Sequence, residues 1–477
     1  MSKKKFYITT SIAYTNALPH LGFALEAVQA DVIARYHCLL DEDVFFLTGT
    51  DEHGQKVVKA AEEAGKNPKN FTDEISQRFK ELTKSLNISN DEFIRTTDQK
   101  KHWPTVRKAW LEMKKNGDIY KKNYKGLYCS GCEAFITKKD LVNGKCAVHQ
   151  REPEIIEEEN YFFRLSRYSK QIKKILEKDE IKIIPETRKN EMLSFAKQGL
   201  EDISFSRPRK DLKWGIPVPD DNSQTIYVWA DALTNYLSGA PGRWPADIHF
   251  IGKDIQKFHC LIWPGMLLSL GLPLPRKIFV HGFINVQSQK MSKSLGNIVD
   301  PFELIEKYGV DSVRYFLLRE IPPTEDGDFT REKFEGRYNA DLSRGLGNLV
   351  ARVMKMAQIS NFQFPNSNKF SNSKFQTKIN KTREECHRSL NELRFNEALA
   401  AAWELISFCD RYIEKEKPWQ ESKKQKEIIG NLLFALKEIA ELLQPFLPES
   451  SDRIKKQIKT GRSSEPLFPR IPIDKVA

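Results

Sequence analysis

The sequence predicts an α/β fold on a parallel sheet, split by an inserted cysteine-bearing module and followed by an α-helical bundle. Three observations carry this expectation. Short apolar runs at residues 6–10 and 44–47 flank a strongly helical stretch, as in a parallel strand-helix-strand unit. A Tyr/Gly/Cys-rich region at residues 120–149 breaks the pattern, which then resumes at residues 224–229, 248–252 and 278–286. Beyond Asp300 only helical spacing recurs.

Residues 6–10 read as a buried strand, and a loop through residues 14–19 leads into a helix over about 22–36, where Leu25, Val28, Val32 and Tyr36 recur at helical spacing. The second strand ends in Gly49-Thr50-Asp51-Glu52-His53-Gly54, at the strand end where parallel α/β sheets carry their functional loops. Helices continue to about Trp110, and an acidic run spans residues 152–159. Asp300-Pro301-Phe302-Glu303 reads as a helix start, with a capping carboxylate and proline in the first turn. Residues 341–356, 382–393, 395–414 and 424–443 read as amphipathic helices, and the Asn/Ser/Lys-rich stretch 361–381 as a linker. The domain boundaries expected are 1–117 and 223–286 for the two halves of the sheet domain, 118–222 for the insertion, 287–340 for a connecting region and 341–477 for the bundle.

At 477 residues, 40% apolar and 11% aromatic, the chain has material for two to four packed domains. A net charge of +12 favours a polyanionic partner, although a lysine-rich solvated surface gives the same total. The start of the chain shows no export signal and nowhere do about 18 uninterrupted apolar residues occur, so a cytoplasmic protein is expected. Seven cysteines at irregular spacing argue against a disulfide framework.

Cys129-Ser130-Gly131-Cys132 and Cys146-Ala147-Val148-His149 are CxxC and CxxH knuckles. Three thiolates and one imidazole form a closed tetrahedral set suited to a structural zinc ion, pinning a module with little core of its own. No GxxxxGK[ST] loop is present and no GxGxxG follows the first strand, so a P-loop enzyme and a standard dinucleotide oxidoreductase are unsupported. Polyphosphate chemistry points elsewhere. Lys290 and Lys293, in Lys290-Met291-Ser292-Lys293-Ser294, lie in a loop after an expected strand and can neutralise charge developing on phosphates. His20 and Gly22, in Pro19-His20-Leu21-Gly22, precede a helix whose positive end favours an anion. Taken alone, His20 reads equally well as a helix cap beside a turn glycine.

Together these two elements resemble the HIGH and KMSKS signatures of class I aminoacyl-tRNA synthetases, and within that class the chain is most similar to the methionyl-tRNA synthetase family. The resemblance is collinear, running from Tyr14 to Arg352 through the zinc knuckles. It implies a Rossmann-like catalytic domain, a connective zinc module and an anticodon-binding bundle. The implied substrates are methionine, Mg-ATP and tRNA(Met), with one structural Zn²⁺ and Mg²⁺ accompanying ATP. The positions matching the methionine site are Ile12, Tyr14, Asp51, Arg207, Trp229, Tyr236 and His259; a thioether packs well on aromatic rings, and a carboxylate pairs with the ammonium. ATP would be held by His20, Gly22, Gly252, Asp254, Lys290 and Lys293, and catalysis carried by His20 and the two lysines. Asn348, Arg352 and Trp419 match anticodon-reading positions, where an aromatic platform stacks an unpaired base.

One departure stands out: the family signature ends in a second histidine where this chain has Phe23. Losing a preorganised transition-state donor costs roughly 2.7 to 4 kcal/mol, so the lysine loop would carry a larger share of phosphate stabilisation. Two other readings follow: a catalytically impaired tRNA-binding paralogue, or a class I synthetase for another amino acid. The chain ends shortly after the bundle, without the appended dimerising domain of some family members, so a monomer is expected.

Overall fold

The structure is a computed structural model that describes residues 3–131, 134–136, 141–147, 150–290, 296–360, 373–420, 423–463 and 465–471. Its first strand, Lys5–Thr10, is buried from Phe6 onward and pairs in parallel with Asp43–Asp51 on one side and Ile248–Gly252 on the other. Lys277–His281 and then Lys182–Ile184 extend the sheet beyond Ile248–Gly252, while Ala13–Tyr14 and Glu92–Arg95 both pair with Asp43–Asp51. All seven strands are parallel, and their apolar runs suit a sheet covered on both faces.

The chain divides into two compact units. The first comprises Met1–Pro19, Asp41–Lys84 and Ser89–His281; the second comprises His20–Leu40, Ser85–Ile88 and Gly282–Ala477. In the first, Tyr7, Leu47, Ile94, Trp110, Phe163, Phe205, Tyr236 and Trp263 belong to one continuous apolar core.

Several expectations shift. The run at residues 224–229 does not join the parallel sheet: Asp221–Ile226 lies between Ser206–Pro208 and Pro217–Val218 in a small antiparallel sheet, and a helix starts at Val228. Prolines on both flanking strands fit this, since proline is tolerated at sheet edges. Glu92–Arg95, read as helical, is a strand; so is Gly327–Phe329, beyond the point where only helices were expected. Both are too short for their alternation to register against helical neighbours. The acidic run forms part of strand Glu154–Phe163, antiparallel to Ile119–Cys129, where Lys121 faces Glu159 at 3.0 Å and Lys125 faces Glu157 at 3.2 Å. The segment read as inserted also supplies Lys182–Ile184, the edge strand of the parallel sheet.

The single strand expected over 278–286 is two. Lys277–His281 ends in the parallel sheet, and Ile284–Val286 pairs in parallel with Gly327–Phe329 in the second unit. Gly282 lies between them, and a Cβ there would stand 2.2 Å from the Glu325 carbonyl, so this close backbone approach requires glycine. From Asn348 onward the described helices of the second unit are Asn348–Ile359, Ser373–Asn391, Phe395–Glu416, Gln425–Leu443 and Pro448–Thr460. The stretch expected as linker is therefore helical from Ser373, while 361–372 lies outside the described residues. Phe395, Ala398, Leu399, Ala402, Leu405, Ile406, Cys409 and Ile413 form the buried stripe of the longest helix.

A buried ionic hub organises the second unit. Arg314 and Asp31 are fully buried and 2.7 Å apart, and Asp31 also accepts from Arg35 at 2.8 Å. Arg314 donates to the carbonyls of Leu86, Pro445 and Phe446, so the helix Leu21–Leu39 is tied to the turn before the last helix. With five donors in a fixed fork, arginine suits such a junction. Among the described residues no helix is long and apolar enough to cross a membrane.

Candidate active site

In the first unit three of the seven positions matched to methionine binding lie at or just beyond the C-terminal ends of parallel strands, Ile12 two residues past Thr10 and Tyr14 and Asp51 closing theirs, while Trp229, Tyr236 and His259 lie on helical turns and Arg207 on an antiparallel strand. Asp51 closes its strand, is buried, and lies in register with Tyr14; its carbonyl accepts from Thr15 N–H at 2.9 Å and from Thr15 Oγ1 at 3.1 Å. Ile12, Tyr14 and Trp229 pack on the core that contains Tyr236. Tyr236 and His259 are each 1% exposed, with the Tyr236 hydroxyl 2.7 Å from His259 Nε2. The tautomer follows from the other ring nitrogen. Nδ1 lies 3.0 Å from the Ile255 carbonyl, which only accepts, so Nδ1 carries the proton and Nε2 accepts from Tyr236. Burial pushes the His259 imidazole down to about 4, partly offset by the Ile255 carbonyl, so this ring is uncharged at neutral pH.

Trp229 stacks on Phe258, ring centroids 3.7 Å apart and planes 8° from parallel, and meets His259 edge-on at 6.1 Å. Phe258 and His259 share a π-helical turn, Phe258–Ile262, a widened geometry common at functional sites. Phe258 was not among the expected residues, since an aromatic at helical spacing reads as core. Arg207 is buried but held by other groups: Nη1 donates to Ser204 Oγ at 3.0 Å and the Ser206 carbonyl at 3.2 Å, with the guanidinium 4.8 Å from the Tyr128 ring and 5.5 Å from the Tyr227 ring. Gly252 ends its strand, and Asp254 Oδ1 lies 2.8 Å from where a side chain on Gly252 would begin.

His20 and Lys290 belong to the second unit. His20 is the N-cap of helix Leu21–Leu39: its Nδ1 accepts from Gly22 N–H at 3.0 Å. A Cβ on Gly22 would stand 2.7 Å from His20 Cε1, so glycine makes room for the ring. The capping role and the phosphate role are compatible, because a bare Nδ1 leaves the proton of neutral His20 on Nε2, a donor. No acid occupies the helix's first turn, which leaves its positive end uncompensated by local carboxylates, and half-buried Phe23 lies in that turn.

Lys290 is not in a simple loop: Gln289–Lys290 is the return strand of a hairpin, with Asn285 opposite Lys290. Its two-residue turn, Gln287 and Ser288, has φ of 51° and 61°, the geometry of a tight hairpin turn but on residues that rarely adopt it. Asp328 Oδ1 accepts from Ser288 N–H at 2.6 Å and helps hold the turn. The Lys290 side chain and all of Lys293 lie outside the described residues.

Of the four expected zinc ligands, Cys129 and Cys146 are buried together in a small cluster with Ile136, whereas Cys132 and His149 lie outside the described residues. Two thiols in one small core fit a closed thiolate site. Among the described residues no group of three or more metal-ligating side chains gathers.

On the bundle, Asn348 is exposed at the start of helix Asn348–Ile359, and Arg352 one turn on lies 2.6 Å from Glu414 and 3.7 Å from Asp410. Trp419 is 53% exposed.

A parallel sheet with its polar groups at the strand ends, a histidine-capped helix and a following helical bundle define a class I aminoacyl-tRNA synthetase. In agreement, the family described as class I (M) tRNA synthetases matches residues 6–139 and 131–354, and the anticodon-binding domain of tRNA ligases matches residues 372–473. The methionine–tRNA ligase of Thermotoga maritima is 42% identical over 475 residues, covering 95% of this chain and 75% of that protein. That of Brucella suis is 40% identical over 474 residues, covering 95% and 92%. A structure of Mycobacterium tuberculosis methionyl-tRNA synthetase in complex with methionyl-adenylate superposes with a TM-score of 0.90 at 38% identity, covering 99% of each chain. The chain belongs to the methionyl-tRNA synthetase family.

Proposed function

We propose that this chain activates methionine with ATP and transfers it to the 3′ end of tRNA(Met). The observation that carries the reading is the buried aromatic cluster of Trp229, Phe258, Tyr236 and His259, in a chain so similar to methionine–tRNA ligases. The methionine carboxylate attacks the α-phosphate of Mg-ATP, forming the carboxyl-phosphate bond of methionyl-adenylate as the bond to pyrophosphate breaks. A hydroxyl of the tRNA's terminal adenosine then takes the methionyl group, and AMP leaves. Asp51 pairs with the methionine ammonium, while Ile12, Tyr14, Trp229, Tyr236 and His259 surround the thioether; Arg207 supports activation. His20, Gly22, Gly252 and Asp254 hold ATP. His20 Nε2–H and the Lys290 and Lys293 ammonium groups stabilise charge on the phosphates, so the catalysis is electrostatic and positional. Phe23 donates nothing to a phosphate, which leaves a larger share to the lysines.

Asn348, Arg352 and Trp419 read the anticodon. One structural Zn²⁺ on Cys129, Cys132, Cys146 and His149 pins the connective module. The protein is cytoplasmic and monomeric, with the five segments set out from the sequence as its functional divisions.

ATP and pyrophosphate exchange, assayed with each amino acid in turn, tests the central reading. Methionine should give the highest activity; faster exchange with any other amino acid overturns it, and exchange-silent protein that still binds tRNA favours the impaired-paralogue reading. Metal analysis should find one zinc per chain, and Cys132→Ser should lose it.

A further inference from the structure

Next in sequence to the methionine-matched residues of the first unit is a buried polar cluster that the proposed reaction leaves without a role. His53 Nδ1 is 2.6 Å from Asp231 Oδ2, and His102 Nε2 is 2.6 Å from Asp231 Oδ1. The three side chains are 4%, 0% and 1% exposed for His53, His102 and Asp231. His102 Nδ1 lies 2.7 Å from Ser238 Oγ. Each carboxylate oxygen thus meets one imidazole N–H. Burial works to raise the Asp231 carboxyl, yet the charge of His53 and the hydrogen bonds from His102 and His53 outweigh it and hold the group below the usual carboxylate range.

The cluster's place in the chain gives it meaning. His53 is two residues beyond Asp51, and Asp231 is two residues beyond Trp229. Glu52, between Asp51 and His53, is also anchored: its carboxylate accepts from Arg95, from Thr50 and from Thr97, and its carbonyl accepts from Trp214 Nε1 at 2.6 Å. Asp51 therefore ends its strand, and the two residues after it are each locked by buried ionic or polar contacts. Ser238 lies two residues past Tyr236 on the same stretch as Asp231.

We propose that His53, Asp231 and His102 are positioning residues that join the Asp51 strand end to the Trp229–Tyr236 segment, setting the spacing between the group that takes the methionine ammonium and the wall that takes its side chain. A clamp of this kind governs affinity for methionine and leaves ATP binding largely unaffected. The inference rests on the reading of Asp51 and Trp229 as methionine-binding, and the experiment separates the two.

Exchange kinetics on the full chain, with methionine and ATP varied separately, provide the test. His53→Leu removes the donor at similar size and should raise the methionine KM at least ~10-fold, since displacements of about 1 Å at such sites have large effects, with the ATP KM within about two-fold. His53→Asn places an amide N–H where Nδ1 stands and should recover most of the loss. A methionine KM unchanged in H53L, or methionine and ATP KM values rising together with no rescue by H53N, overturns the proposal. If H53L fails to fold, as read by circular dichroism, Ser238→Ala decides. It releases only the outer imidazole and should raise the methionine KM roughly 2-fold to 3-fold at constant ATP KM; no change overturns the proposal. Trp229→Ala tests the underlying pocket reading: an unaltered methionine KM there refutes that assignment, whatever the histidine variants show.

Discussion

The aromatic cluster of the first unit, proposed to take methionine, and the Asn348, Arg352 and Trp419 face of the second, proposed to read the anticodon, are built on opposite physical principles. In the cluster, Tyr236 and His259 are almost wholly buried and hydrogen-bonded to each other, and Trp229 is stacked on Phe258. On the bundle, Trp419 stands half in solvent and Arg352 lies between two carboxylates of the neighbouring helix. On the proposed reading the first takes a small amino acid, which offers few atoms, so such a site relies on enclosure and a single desolvated charge. The second would meet an RNA loop, which is large and charged, so a face of exposed groups is sufficient and solvent screens each contribution.

The contrast is easiest to break at Asp51. Asp51→Asn should lower kcat/KM for methionine in the exchange assay by roughly 2 to 5 kcal/mol, the usual cost of removing one partner of a buried charged pair. A loss under about tenfold (~1.4 kcal/mol) would place Asp51 outside the enclosed charge pair. The next effect is on stability. Because burial depresses the folded-state pKa of His259 to about 4 from 6.5, protons bind the unfolded chain preferentially below pH 6.5. Its contribution to stability is fully present above pH 6.5 and lost as pH falls toward 4, by about 3 kcal/mol in all. Urea unfolding at a series of pH values should show a shallower acid decline in His259→Gln; an unchanged slope would mean that the imidazole is solvated.

Trp419→Ala should cost about 1 to 3 kcal/mol in kcat/KM for tRNA while leaving methionine-dependent exchange at its normal rate. A fall in both would remove the distinction between the two regions. The smallest effect is expected at Arg352. Its charge is partly neutralised by Glu414 and Asp410, so Arg352→Gln should weaken tRNA binding modestly and reduce the slope of log affinity against log salt by no more than about 0.7.

Much of this was legible in residue order. Strand Lys5–Thr10, the helix after His20, the helix start at Asp300 and the bundle stripes all announce themselves through local periodicity and capping chemistry. Short strands did not, because three or four residues such as Gly327–Phe329 carry too little alternation, and their pairing partner Ile284–Val286 is distant in the chain. The division of residues 278–286 into two strands also lay beyond local pattern, since Ile284–Val286 pairs with Gly327–Phe329, distant in the chain, and leaves the parallel sheet that Lys277–His281 joins.

The sequence by itself determined the family and the residue types available for chemistry: motif spacing is a property of neighbours along the chain, and His20, Gly22, Asp51 and the cysteine knuckles are all read at short range. Tertiary structure alone decided what those groups are bonded to. His53 meets Asp231 across 178 residues and His102 meets it across 129, and Tyr236 finds His259 across 23. Protonation, tautomer and the locking of the pocket follow from these encounters, because burial and hydrogen bonding depend on neighbours in space.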